Sequence, residues 1–418
     1  MSSILFSCQK EPSTNPLPGN PSDIEFGYLF LVETDSIRTV NIKSGTTVMS
    51  KENPGYLPNG ITFEDSIAYI IGPGMFGAEN VYNGIPKFQK GYVTGFLNGY
   101  KFKCYPVIKD SIVYITNRSK GDLNCSLYAY NKFNGFKIFD SNISYGVESF
   151  TPVLGTPLII GNNIYVGVSH NNVGNIASVY CFDRFTGSLK WNKKLGSGKI
   201  SPFLLAKDKQ LFTTVRKSST ETIIYSLDPA NGDINWKNHM PEILKGPILN
   251  DNNIVALTFS DPNDTRFLQL SFINTSNGNV NSSSSKLEAY NSFLTGDGLF
   301  YIDSTLKRYS ITSNSLVWSV ETQGTKFEND SNFGPLRRKT SVPVVTDQFI
   351  YIIEEASTDL AFRTIKLLSL FIYNKSDGSL ARQLNLLPFI NPLDPYVPDL
   401  FSIIDKNNNL IYNFKGFN

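Results

Sequence analysis

Two stretches of the chain repeat one residue pattern about 45 positions apart. Residues 179–196 read VYCFDRFTGSLKWNKKLG, and residues 224–240 read IYSLDPANGDINWKNHM. In both, an Asp is followed four residues later by a Gly, and that Gly is followed four residues later by a Trp. These positions are Asp183, Gly187 and Trp191 in the first copy, and Asp228, Gly232 and Trp236 in the second.

The third tryptophan of the chain follows the same spacing. Asn314, a residue type that tolerates positive φ as Gly does, precedes Trp318 by four positions. The chain contains three Trp in total, so all of them share one register. This predicts that the chain is an array of one small structural unit.

Weaker copies extend the array over most of the chain. Phe139 follows Gly135 and Met49 follows Gly45 at the same spacing, whereas polar residues stand four positions after Gly99, Gly278 and Gly378. The eight anchors lie at 45, 99, 135, 187, 232, 278, 314 and 378, between 36 and 64 residues apart. A period of 40–50 residues with several short strands is typical of a β-propeller. We therefore predict an all-β fold, an eight-bladed propeller of four-stranded antiparallel blades, with seven blades as the alternative.

Each repeat predicts four strands, named A to D from the inner to the outer edge of a blade. In the fourth copy these are TPLIIG, NIYVGV, ASVYCFD and SLKWNKK. The Gly supplies positive φ in the turn between strands C and D, and the side chain of Asp183 or Asp228 can cap that turn. The Trp on strand D can then pack between adjacent blades.

The repeat resembles the pyrroloquinoline-quinone-like (PQQ-like) repeat, which is found in eight-bladed propellers. Tyr180, Asp183, Thr186, Gly187 and Trp191 match it fully. The resemblance implies an architecture similar to the propeller lipoprotein of the outer-membrane barrel-assembly machinery. Quinoprotein dehydrogenases of the same family have adjacent cysteines, a Trp that lies below the cofactor and a set of Asp, Glu and Asn residues that binds calcium. Since this chain has no Cys-Cys pair and its three Trp are taken by the repeat, we predict no cofactor and no enzyme activity.

The N-terminus resembles a bacterial lipoprotein signal. Leu5-Phe6-Ser7-Cys8 resembles a lipobox, which makes Cys8 the candidate lipidation site, and a Pro/Ser/Asn-rich tether follows. Only seven residues without Lys or Arg precede Cys8, fewer than a full signal peptide needs. Gln9-Lys10-Glu11 is similar to the export signals of Bacteroidota surface lipoproteins. We expect residues 1–23 to form the truncated signal and tether and residues 24–418 one propeller closed by N- and C-terminal strands.

The composition of the chain disfavours some classes of binding partner. Charged residues make up 18% of the chain with a formal net charge of +2, which disfavours a nucleic-acid partner. No apolar run reaches the ~20 residues of a membrane-spanning helix, so we expect contact with a membrane through the lipid anchor only. Cys104 and Cys125 can form a disulfide in an exported protein or remain buried thiols.

The long connections are predicted to lie on one face of the ring. They are the B–C segments 72–91, 117–124, 169–177 and 354–364, and the D–A segments 324–340 and 387–399. Long loops on a rigid scaffold are where binding usually resides. The candidate binding-face residues are Phe76, Tyr82, Phe88, His170, Asn171, Arg337, Arg338, Phe389 and Tyr396.

Three functions are compatible with these features. The leading hypothesis is a non-catalytic outer-membrane lipoprotein, on the periplasmic or the cell-surface side, that binds an envelope protein through its loop-rich face. The alternative is a surface module that binds polysaccharide, since aromatic loop residues can stack on sugars. A quinone-dependent dehydrogenase is the third. The sequence predicts no catalytic residue and no metal-ligand cluster.

Overall fold

The structure is a computed structural model. It describes residues 27–32, 36–52, 60–72, 75–91, 105–118, 125–143, 153–170, 176–201, 204–261, 264–282, 286–287, 291–296, 298–302, 305–322, 337–340, 343–360, 363–386, 401–404 and 410–414. Thirty-six strands, numbered β1 to β36 along the chain, form eight antiparallel sheets, and the described residues contain no helix.

The sheets are numbered as blades 1 to 8 along the chain. Blade 1 contains β1 (Tyr28–Val32), β2 (Ser36–Asn41), β3 (Thr46–Glu52), β35 (Phe401–Ile404) and β36 (Leu410–Phe414). Blade 2 contains β4 (Gly60–Glu64), β5 (Ile67–Gly72), β6 (Met75–Asn80) and β7 (Pro86–Gly91). Blade 3 contains β8 (Val107–Lys109), β9 (Ile112–Arg118), β10 (Cys125–Asn131) and β11 (Lys137–Asn142). Blade 4 contains β12 (Val153–Leu154), β13 (Leu158–Ile160), β14 (Asn163–His170), β15 (Ile176–Asp183) and β16 (Leu189–Ser197).

The second half of the chain repeats this arrangement. Blade 5 contains β17 (Lys199–Ile200), β18 (Leu205–Lys207), β19 (Gln210–Arg216), β20 (Thr222–Leu227) and β21 (Ile234–Met240). Blade 6 contains β22 (Ile243–Asn250), β23 (Asn253–Asp261), β24 (Asp264–Asn274) and β25 (Val280–Ser282). Blade 7 contains β26 (Asn291–Leu294), β27 (Gly298–Ile302), β28 (Thr305–Ser310) and β29 (Ser315–Glu321). Blade 8 contains β30 (Arg337–Thr340), β31 (Val344–Val345), β32 (Phe349–Leu360), β33 (Arg363–Asn374) and β34 (Leu380–Asn385).

In blades 2 to 8 the strands follow one another in chain order from A to D. In blades 4, 5 and 8 strand A is split into two short segments that pair with the same strand B. The prediction of an eight-bladed propeller with antiparallel up-and-down blades is therefore confirmed. In this topology the A–B and C–D turns emerge on one side of the ring, the turn face. The B–C and D–A connections emerge on the other side, the loop face.

Blade 1 is completed by the two ends of the chain. β1 pairs antiparallel with β35, with Leu29 opposite Ile403 and Tyr28 opposite Ile404. The C-terminal segment thus supplies the A strand that the N-terminal copy lacks, and β36 adds a further strand beside it. Backbone hydrogen bonds between the chain ends therefore hold blade 1 together.

The hydrophobic core is divided into eight clusters, and each cluster lies between two consecutive blades. Leu31 of blade 1 packs in one cluster with Tyr351 of blade 8, while Phe30 of blade 1 packs in another with Phe63 of blade 2. The remaining clusters join blades 2–3, 3–4, 4–5, 5–6, 6–7 and 7–8 in turn. Each blade buries both faces against its neighbours, so closure of the ring supplies the core that one sheet alone could not form.

The C–D turns are capped as the sequence predicts. Asp183 Oδ1 accepts hydrogen bonds from the backbone N–H groups of Phe185 (3.0 Å) and Thr186 (3.1 Å). Asp228 Oδ1 accepts one from Ala230 N–H (2.7 Å). Asn residues take the same role at four other turns, at positions 41, 80, 131 and 274. Short polar side chains thus satisfy the free backbone donors of the turn.

The three tryptophans occupy equivalent places at blade interfaces. Each indole N–H donates to the carbonyl oxygen of the residue three before the turn glycine of the next blade: Trp191 to Pro229 (3.2 Å), Trp236 to Thr275 (3.0 Å) and Trp318 to Lys375 (3.2 Å). The rings lie over the glycines themselves, namely Gly232, Gly278 and Gly378. The same slot holds Met49 over Gly84, Phe88 over Gly135 and Phe139 over Gly187. The repeat of the sequence is therefore an interlock between neighbouring blades.

One anchor of the sequence analysis was placed wrongly. The turn of blade 2 has its positive φ at Gly84, not at Gly99, which lies outside the described residues. Residues 72–91, interpreted as a B–C insertion, instead form the C–D hairpin of blade 2, which consists of β6 and β7. The segment Asn80–Phe88 has the Asn, Gly and aromatic residue at the repeat spacing. The turn of blade 2 therefore has the same spacing of capping residue, glycine and large side chain as the Trp repeats.

We predict that alanine substitutions at two turn glycines will separate two free-energy costs. One is the cost of a left-handed backbone, and the other is the cost of a clash with the neighbouring blade. A Cβ at Gly232 (φ +77°) would lie 2.8 Å from Trp191, whereas a Cβ at Gly161 (φ +56°) would meet nothing within 4 Å. Gly161→Ala is expected to cost about 1–2 kcal/mol for the left-handed backbone alone. Gly232→Ala is expected to cost about 1–3 kcal/mol more because the ring must shift.

The measurement is the free energy of unfolding of both variants from denaturant titration, with the wild type as reference. Equal losses for the two substitutions would show that the Trp191 ring accommodates a Cβ at Gly232 at no cost, which would contradict the tight interlock.

Candidate functional site

The loop face carries a hairpin in blade 8 that is longer than its counterparts. Strands β32 and β33 have 12 residues each, whereas β14 has eight and β19 has seven. Pairing continues without interruption from Phe349↔Asn374 to Leu360↔Arg363. Four or five additional residues at about 3.3 Å each extend this hairpin roughly 15 Å further than the B strands of blades 4 and 5. We call residues 354–368 the blade 8 hairpin.

One edge of the blade 8 hairpin is open within the described residues. On its inner side, β30 pairs with Glu354–Ser357 of β32. On its outer side, β34 pairs with β33 only from Ser369 to Tyr373. The backbone groups of residues 363–368 that point away from β32 therefore have no strand partner in the described part of the chain. An unpaired edge of this kind can accept another strand.

Blade 6 has a comparable hairpin whose edge is covered. Strands β23 and β24 have nine and 11 residues. Leu268 of β24 exchanges two backbone hydrogen bonds of 2.8 Å with Leu287. The bridge occupies the outer edge of β24 above its pairing with β25. Within the described residues, the outer edge of β33 at residues 363–368 has no bridge like the one that Leu287 makes to β24.

The blade 8 hairpin differs from the expectation for this segment. Residues 354–364 are expected to form a B–C loop, and Glu, Ser, Thr and Asp are frequent in them. The structure corrects this interpretation, since the residues form regular strands up to Leu360 and from Arg363. The usable signal was alternation of branched and polar residues in FRTIKLLSL, which is typical of a strand.

Arg337 and Arg338 were expected to lie in a D–A loop, but the structure places them in a strand. Both belong to β30, where they pair with Ser357 and Ala356 at the base of the blade 8 hairpin. The backbone of these two residues therefore extends the sheet on the loop face next to the open hairpin.

The aromatic candidates of blade 2 do not line the loop face. Phe76 is fully buried between blades 2 and 3, where its ring centroid lies 5.0 Å from that of Tyr130 and 5.3 Å from that of Phe88. Phe88 is buried in the same cluster. Tyr82 belongs to the C–D turn and packs edge-on against Tyr28 at 5.1 Å, on the turn face. The expectation that these residues bind a ligand is therefore wrong for Phe76 and Phe88, and Tyr82 lies on the opposite face.

His170 is a core residue at the end of β14. Only 4% of the residue is exposed, and its Nε2 lies 3.4 Å from the hydroxyl of Tyr180. Burial lowers the pKa of His170 below its ordinary value and raises the pKa of Tyr180. The side chain is thus held neutral inside the blade 3–4 interface and does not face a ligand as expected.

Several predicted residues lie outside the described part of the chain. These are Cys8, Cys104, Asn171, Phe389 and Tyr396. The lipidation site and the Cys104–Cys125 bridge accordingly stay predictions. Cys181 is a free, buried thiol whose pKa burial raises to about 11.

The arrangement of the tryptophans does not fit a quinone cofactor. Each of the three indoles is committed to a neighbouring turn through its ring face and its N–H group. None therefore offers a free platform for a planar ring. Across the described residues no group of three or more His, Cys, Asp or Glu side chains is close enough to hold a metal ion. We derive no reaction through a quinone.

No membrane-spanning helix is found in the described part of the chain, since none of its segments forms a long apolar helix.

The fold and its interlocking turns define an eight-bladed β-propeller. Residues 106–238, which span blades 3 to 5, match the sequence model of a PQQ-like family described as outer membrane protein assembly factor BamB. The comparison with curated proteins gives no match.

Solved structures share the fold at low sequence identity. Dihydro-haem d1 dehydrogenase NirN, solved in complex with DHE, is 12% identical with a TM-score of 0.56, covering 90% of this chain and 75% of that chain. The computationally designed protein Ika8 is 12% identical with a TM-score of 0.50, covering 86% and 96%. BamB from Moraxella catarrhalis is 12% identical with a TM-score of 0.44, covering 70% and 82%. At these identities the likeness concerns the fold alone.

We predict that burial of His170 will make stability depend on pH. The folded chain resists protonation of this imidazole, whereas the unfolded chain accepts a proton near pH 6.5. Stability is therefore complete above that pH and falls as the pH drops below it, by at most about 1.4 kcal/mol per pH unit.

The check compares the free energy of unfolding of the wild type and of His170→Phe at neutral and at acidic pH. The variant should lose less stability on acidification, because its ring cannot titrate. An identical loss in both proteins would assign the acid sensitivity to other groups.

Proposed function

We propose that the protein is a non-catalytic scaffold of the bacterial cell envelope that binds a protein partner at the loop face. The observation that carries this proposal is the open edge of the blade 8 hairpin on a closed, rigid ring. The backbone of β33 is held in strand geometry by β32, so a partner strand would meet preorganised donors and acceptors. In this mode main-chain hydrogen bonds provide affinity and side chains provide selectivity.

The comparison with the PQQ-like family supports an envelope role. The matching family model carries the description of an outer membrane protein assembly factor, which suggests a partner in the envelope. Acylation of Cys8 would tether the propeller to the outer membrane by its lipid and the segment 9–23, on the periplasmic or the cell-surface side. The absence of catalytic chemistry belongs to the same proposal.

The other two functions have less support from the structure. Binding of polysaccharide required a surface of aromatic side chains, and two of its five members, Phe76 and Phe88, are buried. A quinone-dependent dehydrogenase would need a cofactor platform, and the three indoles are occupied at blade interfaces. The scaffold therefore remains the function that the geometry supports best.

We predict that a photo-reactive residue on the open edge will label one specific envelope protein. The probe is p-benzoylphenylalanine at Lys366 on β33, and the matched control is the same residue at Lys237, an exposed Lys on strand D of blade 5. Irradiation of native membranes should give a defined crosslink at position 366 and none at position 237. Equal labelling at both positions, or none at position 366, would contradict the proposal.

A shortened hairpin provides the second test. Replacing residues 357–366 by Asn-Gly joins Ala356 to Leu367, which face each other in the present register, through a turn suited to a two-residue hairpin. The thermal transition of the purified protein should persist, because every core residue described by the structure lies outside the deleted segment. Recovery of the crosslinked partner by affinity purification should be lost.

A further inference from the structure

The turn face carries exposed apolar side chains in blades 2, 3 and 4. Phe133 and Phe136 flank the turn glycine of blade 3 and are 55% and 65% exposed. Ile85 in the turn of blade 2 and Phe185 in the turn of blade 4 are also exposed. Because all C–D turns emerge on one side of the ring, these four side chains project from neighbouring points of the same face.

The other blades show that the turn does not need these residues. Two positions before the turn residue, blades 5 to 8 have Ala230, Ser276, Thr312 and Ser376. One position after it, they have Asp233, Asn279, Ser315 and Ser379. Several of these polar side chains hydrogen-bond within their own turn, as Ser379 does with Asp377 (2.7 Å). The repeat thus provides an internal control, and the apolar tips of blades 2 to 4 are not explained by folding of the turn.

Lysines from blades 2 and 3 surround the two exposed phenyl rings. The Nζ atoms of Lys87 and Lys132 lie 5.0 Å and 5.3 Å from the centroid of the Phe133 ring. The Nζ atom of Lys90 lies 4.9 Å from the centroid of Phe136. Two ammonium groups therefore share one ring, an arrangement in which like charges repel each other.

The three lysines differ in their ion pairs. Lys132 Nζ lies 2.7 Å from Glu64 Oε2. Among the described carboxylates, none lies within ion-pair distance of Lys87 or Lys90. Burial first, and the charge of Lys132 second, lower the pKa of Lys87, while the charges of Glu64 and Asp65 oppose this shift without cancelling it. An anion above these lysines would relieve the repulsion and restore that pKa.

We propose that this part of the turn face, the turn sector, binds an anionic lipid surface. The turn sector consists of Ile85, Phe133, Phe136 and Phe185 with Lys87, Lys90 and Lys132. The phenyl rings enter the boundary between headgroups and acyl chains, while the ammonium groups contact lipid phosphates.

The shape of the turn sector favours a lipid surface over an acidic protein segment. Its apolar side chains stand on separate turns of three successive blades and project outward. A soft lipid interface accepts such separate tips without matching pockets, whereas a folded partner would need a pocket for each. Docking by the turn face would leave the loop face and its blade 8 hairpin pointing away from the membrane. The inference does not depend on the proposed function, since it concerns the opposite face.

The test is co-sedimentation of the full chain with vesicles, using Cys8→Ser so that no acyl chain contributes. Vesicles of phosphatidylcholine alone are compared with vesicles that also contain phosphatidylglycerol. We expect binding to the anionic vesicles, weakened by added salt. Changing Lys87→Gln and Lys90→Gln together should lower the partition coefficient about 25-fold, at about fivefold for each Lys near the surface.

The aromatic contribution has its own variant and control. Phe133→Ser with Phe136→Ser introduces Ser at two positions where Ser276 of blade 6 and Ser188 of blade 4 already occur in the repeat, so folding should be retained. It should lower the partition coefficient at least as much as the lysine changes. Leu316→Ser is the matched control, because Leu316 is 51% exposed on strand D of blade 7 and lies outside the turn sector; its partition should equal that of the wild type.

Three results would overturn the proposal. The first is no sedimentation of the Cys8→Ser chain with anionic vesicles at low salt. The second is an equal loss of binding in Leu316→Ser and in the double Phe variant. The third is retention on poly-glutamate resin without vesicle binding, which would assign the turn sector to an acidic protein.

Discussion

The ring depends on one contact that recurs between neighbouring blades. At six of the eight junctions a large side chain four residues beyond the turn of one blade covers the turn glycine of the next, and in three cases its indole N–H also donates to that turn. At the junction of blades 8 and 1 the residue that covers Gly45 is Leu384, six positions beyond Gly378. The glycine is needed twice over, for positive φ and because a Cβ would collide with the ring. Apolar burial and a hydrogen bond are thus joined in one place, so each blade positions the next. Between blades 6 and 7 the slot residue is Ser282 and the turn residue is Asn314, and there the core cluster around Leu270 and Tyr301 joins the blades without it.

This interlock assigns different tasks to the two faces of the ring. Most of the contacts that hold neighbouring blades together lie on the turn face, because the turn caps, the turn glycines and the side chains that cover these glycines all lie there. These contacts do not lie on the loop face. Strands can therefore be lengthened there without disturbing the contacts that close the ring. The blade 8 hairpin is the clearest instance, since its pairing continues well beyond the residues that pack in the core. The apolar turn tips of blades 2 to 4 stand out for the opposite reason, because they add exposed surface on the face that otherwise serves cohesion.

Sequence reasoning succeeded where a residue type was dictated by local geometry, and failed where only pairing decides. The capping roles of Asp183 and Asp228 and the common register of the three Trp could be predicted, because positive φ and turn capping restrict residue choice at each position. The turn of blade 2 was missed although Asn80, Gly84 and Phe88 have the correct spacing. Reading residues 72–91 as an insertion moved Phe76 from the core to a supposed loop. The candidate site was predicted less well than the fold. The residues around Thr358 and Asp359 are polar, and their sequence does not show that they pair with β33.

By itself, the sequence determined that the chain is a β-propeller built from one repeated blade, because the spacing of turn residues and slot residues is a local property that each repeat must satisfy. It favoured eight repeats over seven, and the strand pairing of the structure confirmed eight. Only the tertiary structure decided which segment fills strand A of blade 1, where the pairing of β1 with β35 joins residues from opposite ends of the chain. It likewise decided which aromatic residues are buried, which edge is left open and which lysines meet on one phenyl ring. These properties arise between strands and between blades, and a pattern that is read along one strand does not contain them.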